Sequence, residues 1–292
     1  MGTILSNGIV IGSIYGVVAL GLVLIFKSSR TINFAHAETG MIGTFVFFSL
    51  WTQQHWPYAI AALIGIAVSG GVGLATRVLL SGLETKPFSM IIGTLGVGGL
   101  VLFIADRVWG PGAHFLPTTL EGLSVSLGPL TFAGSRLIVV ITSLALALGL
   151  FILFRYTWVG LAFRATALDP VSAELNGVNV RMLRSFTWAL AGILSGASGI
   201  LVAPLVTFNI FFMTLLLVRA LTAALLAGLT SIPGSLIAGL SLGIAEAAIN
   251  RATTQPGVPE LAMVALMITV LTFRSGGSLI GGRDDGVPAV SG

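Results

Sequence analysis

Side chains able to do chemistry are sparse in this sequence and gather at three places. The first is Thr31-Ile-Asn-Phe-Ala-His-Ala-Glu38, where Asn33, His36 and Glu38 fall within about one and a half helical turns at the start of an apolar run. Ionisable groups within a membrane span are costly and face a bundle interior or a water-filled cavity. Two readings stand for the trio. In one it is interfacial, with Asn33 capping the helix and Glu38 favouring its positive end. In the other it lines a passage or braces a broken helix beside one. The second place is Arg219 with Glu246, opposite charges deep in neighbouring apolar runs. Such charges either hold each other as a structural ion pair or serve as a gate or solute contact.

The third place is Gly160 to Arg184, the one long basic segment between hydrophobic runs. Asp169 suits an N-cap, Pro170 suits the first helical position, and Gly177 supplies a left-handed stop, which predicts about two helical turns over Val171 to Asn176. Val171, Leu175 and Val178, at spacings of four and three, present an apolar stripe, and Arg164 and Glu174 supply charges that fix register against a partner. A short capped helix in a loop is a docking element. The partner it suggests is a separate motor, because no Gly-x-x-x-x-Gly-Lys-Ser/Thr phosphate loop occurs in the sequence.

Other chemistry has little footing. The histidines His36, His55 and His114 are scattered without ligand spacing, no serine sits in a nucleophile elbow, and the chain has 0 cysteines, which removes disulfides, thiolate metal sites and thiol nucleophiles together. No catalytic residue, metal site or cofactor of its own is therefore expected.

The elements that must carry these residues are membrane helices. Hydrophobic residues make up 55% of the 292 and charged residues 8%, about a third of the charged share of a soluble domain. Apolar runs long enough for helices fall at 4–26, 34–51, 58–80, 88–105, 135–154, 186–204, 212–229, 232–250 and 259–273. The expected fold is an all-α polytopic bundle of about nine transmembrane helices with a short cytosolic coupling helix; hydropathy does not separate continuous helices from broken or re-entrant ones. The first run is too long for a signal-peptide core and has no basic stretch before it, so it is read as a retained span. Residues 1–280 read as one membrane domain with a docking loop at 155–185, and 281–292 as a cytosolic tail. Gly110-Pro111-Gly112, Pro117 and Gly128-Pro129 punctuate the connection at 106–134. Closely spaced glycines, Gly65, Gly70, Gly71 and Gly73 and again Gly192, Gly196 and Gly199, predict close helix packing in lipid, with a lining role as the lesser alternative.

If the runs alternate, Lys27, Arg30, Arg77, Lys86, Arg155, Arg164, Arg181, Arg184, Arg274 and Arg283 share one side, and only Arg107, Arg136 and Arg251 lie opposite. The positive-inside rule then puts the amino terminus outside and the carboxyl terminus in the cytosol. The excess of Lys and Arg over Asp and Glu, 14 to 10, thus reflects membrane orientation and gives no support to nucleic-acid binding.

Three ordered blocks resemble a known family. They are Gly21-Leu-Val-Leu-Ile-Phe26 with Ile32-Asn-Phe-Ala-His-Ala-Glu38 and Met41-Ile-Gly43; Gly160, Arg164-Ala165, Asp169-Pro170, Ala173 and Gly177-Val178, then Ala191-Gly192 and Ser195-Gly196; and Gly228-Leu-Thr-Ser-Ile-Pro-Gly234 with Gly239, Gly243 and Glu246, closing on Phe273-Arg274 and Leu279-Ile-Gly281. In this order they resemble the permease subunits of bacterial ABC importers for branched-chain amino acids, the LivH-like group, and the match runs over nearly the whole chain. The resemblance implies a multi-pass protein of the bacterial inner membrane. It also implies a second permease subunit, homologous or identical, two cytosolic ATPase subunits that bind ATP-Mg, and an extracytoplasmic solute-binding protein. Carried over, Gly160 to Val178 becomes the ATPase-docking loop. Ala37, Ala227, Thr230 and Ser275 depart from the family pattern, and relatives move urea, short amides or aromatic acids, so the implied cargo is a branched-chain amino acid or a related small polar solute. The rival expectation is a self-contained secondary carrier or channel, in which Glu38, Arg219 and Glu246 serve ion coupling.

Overall fold

The computed structural model describes residues 2–84, 86–118, 124–127, 130–253, 255 and 257–279. The chain is an all-α polytopic membrane protein. In order it forms α1 (Gly2–Ser29), α2 (His36–Phe48), a π-helical turn (Ser49–Gln53), α3 (Tyr58–Leu79) and α4 (Pro87–Trp109). A two-stranded hairpin, β1 (Ser124–Leu127) and β2 (Leu130–Ala133), precedes α5 (Gly134–Tyr156), α6 (Trp158–Leu168) and α7 (Pro170–Leu175). The chain ends in α8 (Val180–Val202), α9 (Phe212–Leu226), α10 (Ile232–Ala252) and α11 (Val258–Leu279).

Every expected apolar run meets a helix, but the helices are of two kinds. Among the described residues, 6 are long and apolar enough to cross a bilayer: α1, α3, α4, α5, α8 and α10. The expected run at 34–51 becomes the 13-residue α2, in which every residue but Val46 is buried. A helix without a separate polar face belongs inside a bundle, and α2, whose His36, Glu38, Thr39 and Thr44 are buried along with its apolar residues, packs against α3, α8, α4 and α9. The run expected at 212–229 ends at Leu226, because Gly228 (φ 78°) and Leu229 (φ 58°) both turn left-handed. Two features escaped the apolar pattern: α6, amphipathic and short, and the hairpin, which pairs Ser124 with Ala133 and Leu127 with Leu130. Gly128-Pro129, Arg283 and the expected tail at 281–292 lie outside the described residues.

Glycine sets the closest helix approaches. On α1, Gly12 and Gly16 face Gly239, Leu240 and Leu236 of α10 so closely that a Cβ on Gly12 would lie 2.8 Å from the Gly239 carbonyl oxygen. A second seam joins α3 to α8, where Gly73 meets the Trp188 backbone and Gly192 meets Ser69. Gly71, grouped with these by spacing, faces open space instead.

Three of the basic residues expected on one side, Arg30, Arg77 and Arg184, meet at one edge. Glu84, after α3, binds both Arg77 (2.5 Å) and Arg184 (2.6 Å). Arg184 Nε also donates to the Ser28 carbonyl, and Arg30 donates to the Ala167 carbonyl. At the opposite edge Arg136 donates to Asn7, Trp109 Nε1 donates to Ser49, and His114 and Phe208 exchange backbone hydrogen bonds inside a cluster with Phe45 and Phe48.

Candidate functional site

The break between α1 and α2 brings Asn33, His36 and Glu38 together inside the bundle. Arg30, at φ 53°, ends α1 in the left-handed region, and Asn33 is 1% exposed. Asn33 does not cap α2 as one reading held: its Oδ1 accepts from the Ala35 amide at 3.0 Å, and Ala35 occupies the cap position without a side-chain bond. Asn33 therefore stabilises the non-helical link, the local bond by which an Asn side chain competes with a helical one. Thr94 of α4 accepts the Phe34 amide, and Ser195 of α8 donates to the His36 carbonyl at 2.6 Å, so neighbouring helices satisfy the backbone that the break exposes.

His36 packs edge-on against Gly21, where a Cβ would lie 2.5 Å from the ring Cε1, and neither ring nitrogen meets an aligned partner among the described residues. Glu38, in the first turn of α2, accepts from Thr214 Oγ1 of α9 at 3.0 Å. Its other carboxylate oxygen is buried without a partner and faces Gly98 of α4. The carboxylate thus lies between the start of α2, the Thr214 hydroxyl of α9 and the Gly98 backbone of α4. Thr94, Ser195 and Thr214 were not legible as site residues, since single hydroxyls in apolar runs are common.

Arg219 and Glu246 pair, at 3.1 Å. Arg219 also binds Glu260 at the start of α11, at 2.9 Å, and lies over the Tyr15 ring, while the Tyr15 hydroxyl donates to Glu246 at 2.6 Å. One cation thus ties α1, α9, α10 and α11. Removing one partner of a buried pair costs about 3–5 kcal/mol because it strands the other charge. Tyr15 and Glu260 were missed: the first is hidden in an apolar run, and the second reads as an interfacial helix start. Arg219 and Thr214, the partner of Glu38, both lie on α9, yet among the described residues no hydrogen bond or ion pair joins the two clusters.

The third group forms an exposed arm. Thr157 caps α6 by accepting the Gly160 amide, and a Cβ on Gly160 would run into the Phe154 backbone, so glycine is required at the α5–α6 elbow. Arg164 Nε donates to the Gly160 carbonyl. Helix α7 then forms as its signals predict. Asp169 accepts from the Val171 and Ser172 amides and from the Ser172 hydroxyl, Pro170 opens the helix, and Gly177 (φ 84°) closes it. The bonds from Gly177 N to Glu174 O and from Val178 N to Ala173 O make a Schellman end. The hydroxyl and amides around Asp169 hold its carboxyl below the usual carboxylate range.

The stripe is only partly as expected. Val171 and Leu175 stand out, 67% and 84% exposed, and Glu174 is exposed beside them. Val178 instead turns inward, packing toward Leu183 and lining a groove of about 420 Å³ between α6 and α8 with Trp158, Ala162, Met182 and Phe186. The left-handed step at Gly177 reverses the chain and carries Val178 off the α7 face.

The sequence pattern of the branched-chain amino acid transport system permease component family matches residues 4–272. The chain is 29% identical over 289 residues to the high-affinity branched-chain amino acid transport system permease protein LivH of Salmonella typhimurium, covering 94% of this chain and 93% of the relative. It is 26% identical over 292 residues to the corresponding permease protein BraD of Pseudomonas aeruginosa, covering 94% of each. A probable branched-chain amino acid transport permease protein LivH of Methanocaldococcus jannaschii is 27% identical over 258 residues, covering 85% of this chain and 80% of the relative. With its spans, its broken entrance to α2 and a match along nearly its whole length, this chain belongs to the branched-chain amino acid transport system permease component family.

Proposed function

We propose that this chain is the permease subunit of a bacterial ABC importer that moves branched-chain amino acids, or a related small polar solute, inward by alternating access. Residues 1–280 act as one permease domain and 281–292 as its tail. It works beside a second permease subunit, homologous or identical, with two cytosolic ATPase subunits that bind ATP-Mg and an extracytoplasmic solute-binding protein. The basic edge faces the cytosol, by the positive-inside rule, with the amino terminus outside and the carboxyl terminus inside.

The observation that carries this reading is α7. A doubly capped helix that buries Ala173 against the bundle but displays Val171 and Leu175 to solvent leaves an apolar face uncovered among the described residues, and it stands on the edge where Arg30, Arg77 and Arg184 gather. An ATPase groove that takes this helix turns motor closure into a push on α6 and α8. Within the membrane, Asn33, His36 and Glu38 flank the route, and the free Glu38 oxygen offers an acceptor to a solute ammonium. Arg219 and Glu246 brace the bundle beside it. The ion pairs that engage Arg219 give a structural reason for its burial, so ion coupling by a self-contained carrier is not needed to explain it.

Leu175→Asp in the reconstituted complex tests the coupling. Uptake is expected to fall at least tenfold while the permease keeps its chromatographic profile and ATP hydrolysis no longer responds to loaded binding protein. Full uptake by that variant would remove α7 from the mechanism.

A further inference from the structure

Three hollows on one face of the bundle share walls. The first, about 330 Å³, lies where α1, α5 and α6 meet the start of α10 and is lined by Lys27, Arg155 and Arg164 with Phe151 and Phe154. The second, about 340 Å³, shares Lys27, Arg164 and Thr230 with it and adds Arg30. The third, about 450 Å³, shares Phe151, Ile232 and Pro233 with the first and continues along α5 and α10 over Leu144, Leu148 and Ile237; all its lining residues are apolar.

The four cations have no carboxylate partner among the described residues. Arg30 donates to the Ala167 carbonyl, Arg164 to the Gly160 carbonyl, and Lys27 lies over the Phe163 ring, 5.7 Å from its centre. The described ion pairs are elsewhere, at Glu84 and at Arg219. Four like charges around adjoining hollows attract an anion. The third hollow asks for something different, an apolar chain. From Arg155 back to Leu144, α5 rises about 16 Å, close to the ~15 Å of hydrocarbon in one leaflet.

We propose that this composite hollow holds one anionic phospholipid, its phosphate among Lys27, Arg30, Arg155 and Arg164 and an acyl chain along Leu144, Leu148 and Ile237. Basic pockets between membrane helices are suited to such headgroups. A free anion would leave the apolar hollow uncovered, and an apolar helix of another subunit would leave the cations without a counter-charge. The binding is independent of transport, so its failure and the failure of the importer reading are separate results.

The test titrates the purified full chain in detergent with phosphatidylglycerol and counts bound lipid by native mass spectrometry. One tightly retained phosphatidylglycerol is expected, with phosphatidylcholine retained far less. Each basic residue near a headgroup contributes about fivefold, so Lys27→Gln with Arg155→Gln weakens binding about 30-fold. Leu148→Glu, in the apolar hollow, weakens it as well, whereas Arg136→Gln at the opposite edge does not. Equal retention of phosphatidylcholine would overturn the proposal. So would displacement of the lipid by inorganic phosphate or glycerophosphoglycerol with no effect of Leu148→Glu, which would make this a small-anion site. Disulfide linkage of two copies through Ile237→Cys would make the face a protein interface instead. Should a variant fail to fold, a photoactivatable phosphatidylglycerol on the unaltered chain decides: labelling must fall on α5 and α10, and labelling elsewhere refutes the site.

Discussion

Gly12 and Gly71 allow one chemical change to be read in two environments. A methyl on Gly12 would lie 2.8 Å from the Gly239 oxygen, 2.8 Å from Leu240 Cα and 2.9 Å from the Leu240 oxygen. These are backbone atoms of α10 and do not rotate aside, so α1 and α10 must part, at a cost of about 1–3 kcal/mol for overpacking. On Gly71 the same methyl meets nothing within 4 Å. Both substitutions gain the ~0.5–1 kcal/mol by which alanine exceeds glycine in a helix, so that gain cancels between them. Gly12→Ala is therefore expected to be less stable than Gly71→Ala by about 1–3 kcal/mol. At roughly 2–4 °C per kcal/mol for a chain of this size, that separates their midpoints by several degrees. The assay is thermal unfolding of the detergent-solubilised chain, followed by the fraction that stays monodisperse after heating. Indistinguishable midpoints, or a lower one for Gly71→Ala, would refute the close approach of α1 to α10.

Two further outcomes follow from the charged groups. Glu246→Gln should destabilise toward the lower end of ~3–5 kcal/mol, because Arg219 keeps Glu260, whereas Glu260→Gln, at an exposed carboxylate, should cost about 1 kcal/mol or less; equal losses in the same melting assay would contradict the network as drawn. The lowered carboxyl of Asp169 means that its cap is fully present above the ordinary aspartate range, near pH 4, and is lost as pH falls through the lower folded value. Amide exchange at Val171 and Ser172 should stay slow, relative to intrinsic rates, at pH 5 and accelerate only in stronger acid, and Asp169→Ala should abolish the protection at every pH; protection unchanged in that variant would deny Asp169 the cap.

Legibility of the sequence tracked how local each signal was. The apolar runs located the helices because bilayer thickness imposes a length on them, and α7 was readable residue by residue because Asp169, Pro170 and Gly177 act within a turn or two. Depth was not readable. The apolar run holding α2 looks like the others, and only tertiary packing shows that it is a short helix buried on all sides. The partners of recognised residues were equally hidden: Arg219 and Glu246 stood out as charges in apolar runs, while Tyr15, Thr214 and Glu260 reach their sites across 231, 176 and 41 positions of sequence. Val178 was misplaced for a local reason, since a helical spacing rule was carried past the left-handed Gly177 that ends the helix.

Uptake of labelled leucine into proteoliposomes is the most direct test. The chain would be reconstituted with the second permease and the ATPases proposed as its partners, with and without internal-facing ATP and the loaded binding protein. ATP-dependent accumulation that also requires the binding protein is the result expected of an importer permease. Accumulation of leucine by the chain alone, without ATP or partners, would contradict it.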